Sequence, residues 1–382
     1  MRNALVALAL VGSTTTVVSC TYRTALDDVL GRGGGASAAG GNGASGGSPG
    51  AGGRGGAGGA TGTGGATLAV LPCDLFAAGN APCVAAHSTV RALFGAYDGR
   101  LYQVKRSDGA TKDIGVFAPG GLASSADQDA FCGTSACTIA TIYDQSGNAN
   151  HLAYPAKYGV MAGTSPADAK ALPITVGGRK VYGVHLPAGV GYAYAGGSAR
   201  NVAMGDSPET IYMVAGGDYY NGGCCFDYGN VETAIKNDNE GATEAIYFGA
   251  CATWGSGAGS GPWVMADLGQ GLWPGRTRNN TGNTSVSYQI VTAMVKGDSG
   301  NHWAIKAGDA QTGPLTTMFD GTRPPTLPEA MRKQGAIVLN IVGQADNPGQ
   351  GNFFEGVITA GYSTDGVDDA VQANIVAAGY GK

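Results

Sequence analysis

Along most of this chain, apolar positions come in short runs cut by Gly, Asp and Asn. Residues 211–215, 244–248, 263–266, 286–295, 302–306, 336–342 and 353–360 are such runs, rich in Val, Ile, Tyr, Phe or Trp. They predict strands, because β-branched and aromatic side chains suit a pleated surface and the flanking residues supply turns. Helical spacing is rarer. Val90, Leu93, Phe94 and Tyr97 would share one helical face, which predicts a helix within 84–97. Val367, Val371 and Ile375 recur every four residues and predict a closing helix. Its first turn holds Asp365, Asp368 and Asp369, where negative charge is favoured. Short strands without regular intervening helices stack as two sheets and not as a parallel α/β layer. The expected fold class is all-β, a two-sheet sandwich with a few short helices. No internal repeat is visible, which argues against a propeller or solenoid.

The N-terminal part departs from this pattern. Residues 1–20 read MRNALVALALVGSTTTVVSC, with Arg2 before an apolar stretch at 4–11 too short to span as a helix. Val17-Val18-Ser19-Cys20 resembles a bacterial lipoprotein processing site, at which Cys20 would carry the lipid. That reading expects a membrane anchor through Cys20 and an exported, bacterial cell-envelope protein, an outer-membrane lipoprotein. Ordinary secretion is the alternative. Residues 21–66 form a linker, and 31–66 are almost wholly Gly, Ala, Ser and Thr. No side chain there is large enough to offset the entropy of folding. Collagen is excluded because glycine keeps no period of three and proline is scarce. The folded domain is expected over 67–382.

Charge narrows the partners. Net charge is −5, only 23 of 382 residues are Lys or Arg, and no basic run occurs. Phosphate binding needs concentrated positive charge, so nucleic acid is excluded as a partner. His87, His151, His185 and His302 are scattered, so neither a metal nor a cofactor is expected. The abundant Tyr, Asn and Gly suit a neutral, hydroxyl-rich ligand.

Six cysteines fall into local pairs: Cys73 with Cys83, Cys132 with Cys137, and the adjacent Cys224 and Cys225. In an exported chain these read as bridges, and zinc-type spacing is absent. Adjacent α-carbons sit about 3.8 Å apart across a trans peptide, below the usual disulfide range. A Cys224–Cys225 bridge would therefore be a strained, rigid and apolar shelf of the kind kept at ligand sites. Reduced or separately bonded cysteines are the other reading. Cys251 has no evident mate.

Longer motifs carry a resemblance. They include Pro72-Cys73-Asp74-Leu75-Phe76, Pro82-Cys83-Val84-Ala85-Ala86-His87-Ser88-Thr89, Leu101-Tyr102-Gln103-Val104-Lys105-Arg106 and Ile142-Tyr143-Asp144-Gln145-Ser146-Gly147-Asn148. Others are Asn221-Gly222-Gly223-Cys224-Cys225-Phe226-Asp227-Tyr228-Gly229-Asn230, Glu244-Ala245-Ile246-Tyr247-Phe248-Gly249, Gly261-Pro262-Trp263-Val264-Met265-Ala266-Asp267-Leu268, and the segment from Val371 to Tyr380. Over about 71–380 the chain resembles the catalytic domain of glycoside hydrolase family fifty-four, of the alpha-L-arabinofuranosidase B type. The resemblance implies a jelly-roll, concanavalin A-like sandwich and the three bridges named above, the Cys224–Cys225 bridge lying in the sugar pocket. It also implies retaining removal of non-reducing α-L-arabinofuranosyl groups from arabinan or arabinoxylan. Typical fungal members carry an arabinose-binding β-trefoil after this point, and with Lys382 as the last residue that module is not expected here.

Two positions depart from the family. Its nucleophile is the glutamate after Met-Ala-Asp-Leu, and here Gly269 follows Leu268. Its acid/base aspartate aligns with Gln344, and Asp346 lies two residues further on. A retaining glycosidase needs two carboxyl groups, so Asp346 is the candidate acid/base. Asp267 is a candidate sugar ligand and, in a smaller role, a candidate nucleophile. The resemblance makes Trp254, Asp267, Gln270 and Gly343 pocket residues beside Cys224 and Cys225. Asp227 is placed to accept sugar hydroxyls. Trp263, Trp273 and Trp303 are expected in core or rim packing, and Glu244 and Glu355 are either further candidate carboxylates or structural residues. The alternative to hydrolysis is a catalytically impaired surface lipoprotein that binds arabinofuranose.

Overall fold

Apolar runs become strands buried on both faces. Glu209–Gly216, Asp227–Val231, Glu244–Gly249, Trp263–Asp267, Ile290–Gly297 and Gly351–Thr359 are buried at every position. The computed structural model describes residues 69–154, 165–233, 241–340 and 349–382, all within the compact unit Gly65–Lys382. Cys20, the linker, Gly343, Gln344 and Asp346 lie outside the described residues.

Two antiparallel sheets make the fold, a jelly-roll or lectin-like sandwich with short helices. The seven-stranded sheet runs in the order Cys83–Ser88, Gly351–Thr359, Glu209–Gly216, Ile290–Gly297, His302–Asp309 and Thr312–Thr322, and Val184–Leu186 also pairs with Gly351–Thr359. The ten-stranded sheet has at one end Leu272–Trp273, Trp263–Asp267, Glu244–Gly249, Asp227–Val231 and Ala336–Leu339. One core cluster takes side chains from both sheets, among them Tyr212, Met294, Phe353 and Val357 with Phe226, Tyr228, Ile246 and Val264. Gly356 lets the sheets approach closely: a Cβ there would come within 2.5 Å of the Tyr228 ring.

The expected helix within 84–97 is not formed. Cys83–Ser88 is a strand paired with Gly351–Thr359. The Ser88 hydroxyl accepts the N–H groups of Val90 and Arg91, each at 3.1 Å, and these local bonds compete with a helical turn. The strand expected over 286–295 begins at Ile290. The closing helix is present as Asp365–Ala378, capped by Thr364 and stopped at Gly379, whose φ of 75° suits glycine. Its first-turn acids do more than complement the dipole. Asp368 holds Lys296 at 2.6 Å and Lys306 at 2.7 Å in the interior.

Candidate functional site

Strand alternation builds the site. Asp227 lies opposite Tyr247, and Tyr247 lies opposite Met265 on the next strand. Paired residues point to the same side of a sheet, and so do residues two apart. Asp227, Tyr247, Trp263, Met265 and Asp267 therefore share one face, joined by Leu272 opposite Asp267. Their neighbours Phe226, Tyr228, Ile246, Phe248, Val264 and Ala266 face the core between the sheets. On the site face, Tyr247, Trp263, Met265 and Leu272 pack with Cys225 and Cys251, and Cys224 lies against them.

All three expected disulfides are formed. Cys73–Cys83 and Cys132–Cys137 have α-carbons 5.5 and 5.8 Å apart. Cys224 and Cys225 are bonded across a cis peptide with α-carbons 2.9 Å apart. Cys225 is buried and Cys224 half-buried, so the bridge sits at the edge of the buried cluster.

Beside the bridge, the Cys225 sulfur and one oxygen each from Asp227 and Asp267 lie within 4.8 Å of one another. Asp227 is wholly buried, and neither of its oxygens accepts a bond from a described donor. Its partner is the Asp267 carboxyl, and a bond between two carboxyls requires one to hold a proton. Burial, then repulsion from Asp267, pushes Asp227 well above the usual carboxylate range. Asp267 is 7% exposed and pushed up to about 6, chiefly by burial. The Gly269 N–H, donating to Asp267 Oδ1 at 2.8 Å, pulls the other way. A carboxyl pair that shares one proton can both donate and accept hydrogen bonds. The Cys225 sulfur is committed to its bridge and supplies no thiolate, so the trio is a poor metal site.

Gly269 has a φ of 98°, where any side chain is strained. The turn from Asp267 to Leu272 is thus shaped for glycine at the position where the family's nucleophile was expected. Trp254 is 48% exposed, and its carbonyl accepts the Leu272 N–H at 3.2 Å. Gln270 lies one residue beyond Gly269, and its carbonyl accepts from Arg278 at 2.8 Å. Glu244 is bound by Lys333 at 2.7 Å, and Glu355 by Arg91, also at 2.7 Å; both are buried in ion pairs. Trp263, Trp273 and Trp303 are all buried. Sequence reasoning gave Cys251 no place. It is a buried free thiol whose N–H donates to the Tyr247 hydroxyl at 2.8 Å, directly behind the bridge.

A two-sheet sandwich with a sulfur bridge and an acidic pair on one sheet face places the chain among the lectin-like β-sandwiches. Residues 72–381 match the family described as Alpha-L-arabinofuranosidase B, catalytic, and the chain belongs to that family. It is 50% identical over 321 residues to a probable alpha-L-arabinofuranosidase B of Aspergillus terreus, covering 82% of this chain and 63% of that protein. It is 49% identical over 321 residues to an arabinofuranosidase/B-xylosidase of Trichoderma koningii, with the same coverage. Among solved structures, an arabinofuranosidase complexed with arabinofuranosyl-alpha-1,2-xylobiose superposes with a TM-score of 0.78 at 45% identity, covering 81% of this chain and 66% of that one. The chain thus spans a little under two thirds of the length of these relatives.

These relatives are fungal and overturn the expectation of a bacterial outer-membrane lipoprotein anchored through Cys20. The processing-site pattern is only four residues long, and a chain rich in Ala, Val and Ser meets it by chance. Among the described residues no helix is long and apolar enough to cross a membrane.

Proposed function

We propose that this chain acts on terminal α-L-arabinofuranosyl groups of arabinan or arabinoxylan as an alpha-L-arabinofuranosidase. The observation that carries the reading is the Asp227–Asp267 carboxyl pair set against the Cys224–Cys225 bridge on one sheet face. A flat sulfur surface and the half-exposed Trp254 indole suit the C–H faces of a sugar ring, and the carboxyl pair suits its hydroxyls. Asp267, at the strand end two residues before Gly269, is assigned as the carboxylate that meets the anomeric carbon. The proton for the leaving oxygen falls to Asp346. A retaining pair stands about 5 to 5.5 Å apart across the sugar, whereas Asp227 and Asp267 bond to each other, so Asp227 is assigned to hydroxyl recognition.

Gly269 favours a second reading, arabinofuranose binding without turnover, because its backbone conformation excludes a glutamate without rearrangement. An aryl α-L-arabinofuranoside separates the two readings. Turnover by the parent chain, lost in both Asp267→Asn and Asp346→Asn, supports hydrolysis. Calorimetric binding of the arabinofuranoside with no aryl release supports binding alone. Neither binding nor release would reject both.

A further inference from the structure

Beyond the Gly269 turn the surface opens into a cleft of about 320 Å³, walled by Gln270, Trp273, Arg276, Arg278, Pro325 and Leu327. No carboxylate lines it. In a chain of net charge −5, two arginines, Arg276 and Arg278, line this opening. Arg276 is exposed and makes no hydrogen bond or ion pair with a described residue. Arg278 spends one N–H on the Gln270 carbonyl and lies 5.2 Å over the Trp273 ring, leaving its other donors open. The buried indole N–H of Trp273 has no acceptor among the described residues. Pro325 and Leu327 give the wall its apolar part, and Thr277 and Thr326 complete it.

Two arginines without a carboxylate partner among the described residues, beside a mostly apolar wall, fit a ligand with a C–H face and a carboxylate. We propose that this cleft binds a uronic acid residue of the same polysaccharide that presents the arabinofuranosyl group. In this respect the inference rests on the proposed function. Gln270 is three positions beyond Asp267, a span of at most about 11 Å, so one branched glycan can reach both places. The carboxylate would lie against Arg276 and Arg278, planar groups that recognise carboxylates through paired N–H donors. The preferred substrate would then be an acidic arabinose-bearing polymer in place of a neutral one.

The test uses the full chain and two probes without arabinose, methyl β-D-glucuronoside and methyl β-D-glucoside, titrated by NMR. The expected result is glucuronoside binding at least about tenfold tighter than glucoside, from a charge-assisted bond. Arg276→Gln should reduce that preference and Arg276→Glu abolish it. Arg276 contacts no described partner, so neither change should disturb the fold, which a thermal melt verifies. Equal binding of the two probes, no binding of either, or a preference unmoved by Arg276→Glu would overturn the proposal. Because neither probe carries arabinose, these outcomes leave the arabinofuranosyl reading to its own assay.

Discussion

Asp227 and Asp267 stand on strands that do not touch, yet their carboxyl groups meet. Glu244–Gly249 runs between them, and its pairing with both neighbours sets the two acids on one face.

The carboxyl pair works against folding at neutral pH. Asp267 rises from an ordinary 3.8 to about 6, and Asp227 rises further, so folding favours their protonated forms. A raised carboxyl contributes stability that is full below the unfolded value and lost as pH climbs through the folded one. Stability should therefore fall between about pH 4 and pH 6 and beyond. Asp267→Asn, whose amide can donate to Asp227, should gain about 2 kcal/mol at pH 7.5 and little at pH 4. Urea unfolding at the two pH values checks this. The same change should weaken arabinofuranoside binding.

The two acids at the start of the closing helix should behave differently. Asp368 is wholly buried between two lysines, and Asp368→Asn leaves both ammonium groups without their buried carboxylate partner. The expected loss is about 3 kcal/mol. The Asp365 side chain is 74% exposed, so Asp365→Asn should cost less than about 1 kcal/mol despite its bonds to the same lysines. Paired denaturation curves decide it.

Among the bridges, stability and recognition should separate. Cys73–Cys83 closes a loop across ten positions, and replacing both cysteines by Ala should cost about 2 to 3 kcal/mol. Cys224–Cys225 joins neighbours and closes almost no loop. The double Ser variant should lose less than about 1 kcal/mol by this mechanism. Its arabinofuranoside affinity should fall about tenfold or more, since sugar contact is lost with the sulfur surface. Melting curves beside calorimetry give both numbers.

Trp254 is a large aromatic left 48% exposed. Trp254→Ala should change stability by no more than about 0.5 kcal/mol. It should weaken arabinofuranoside binding about tenfold through lost ring contact. An unchanged affinity would remove this indole from the site.

The strands were legible because both of their faces are buried, which leaves continuous apolar runs bounded by turn residues. The closing helix was legible from Val367, Val371 and Ile375, two of which are fully buried on its inner side. The stretch 84–97 misled because four apolar residues fell at helical spacing, while Ser88 was bonding the next backbone N–H groups locally. Bridge partners could be read from proximity along the chain. The contact between Asp227 and Asp267 could not, since it depends on a third strand and on register. Nor could the conformation of Gly269, which only the path of the turn defines. The pair Arg276 and Arg278 left a faint signal, two basic residues within three positions of a chain poor in them.

Interior and pocket are interleaved on the same strands: Ile246 and Phe248 look one way while Tyr247 looks the other. One residue inserted ahead of Tyr247 would push aromatic rings outward and carry the Asp227 side of the pocket out of step with the Asp267 side. A scaffold of this kind can therefore take one side chain for another far more readily than it can lengthen or shorten these strands. Changes in specificity should accumulate in the connecting turns.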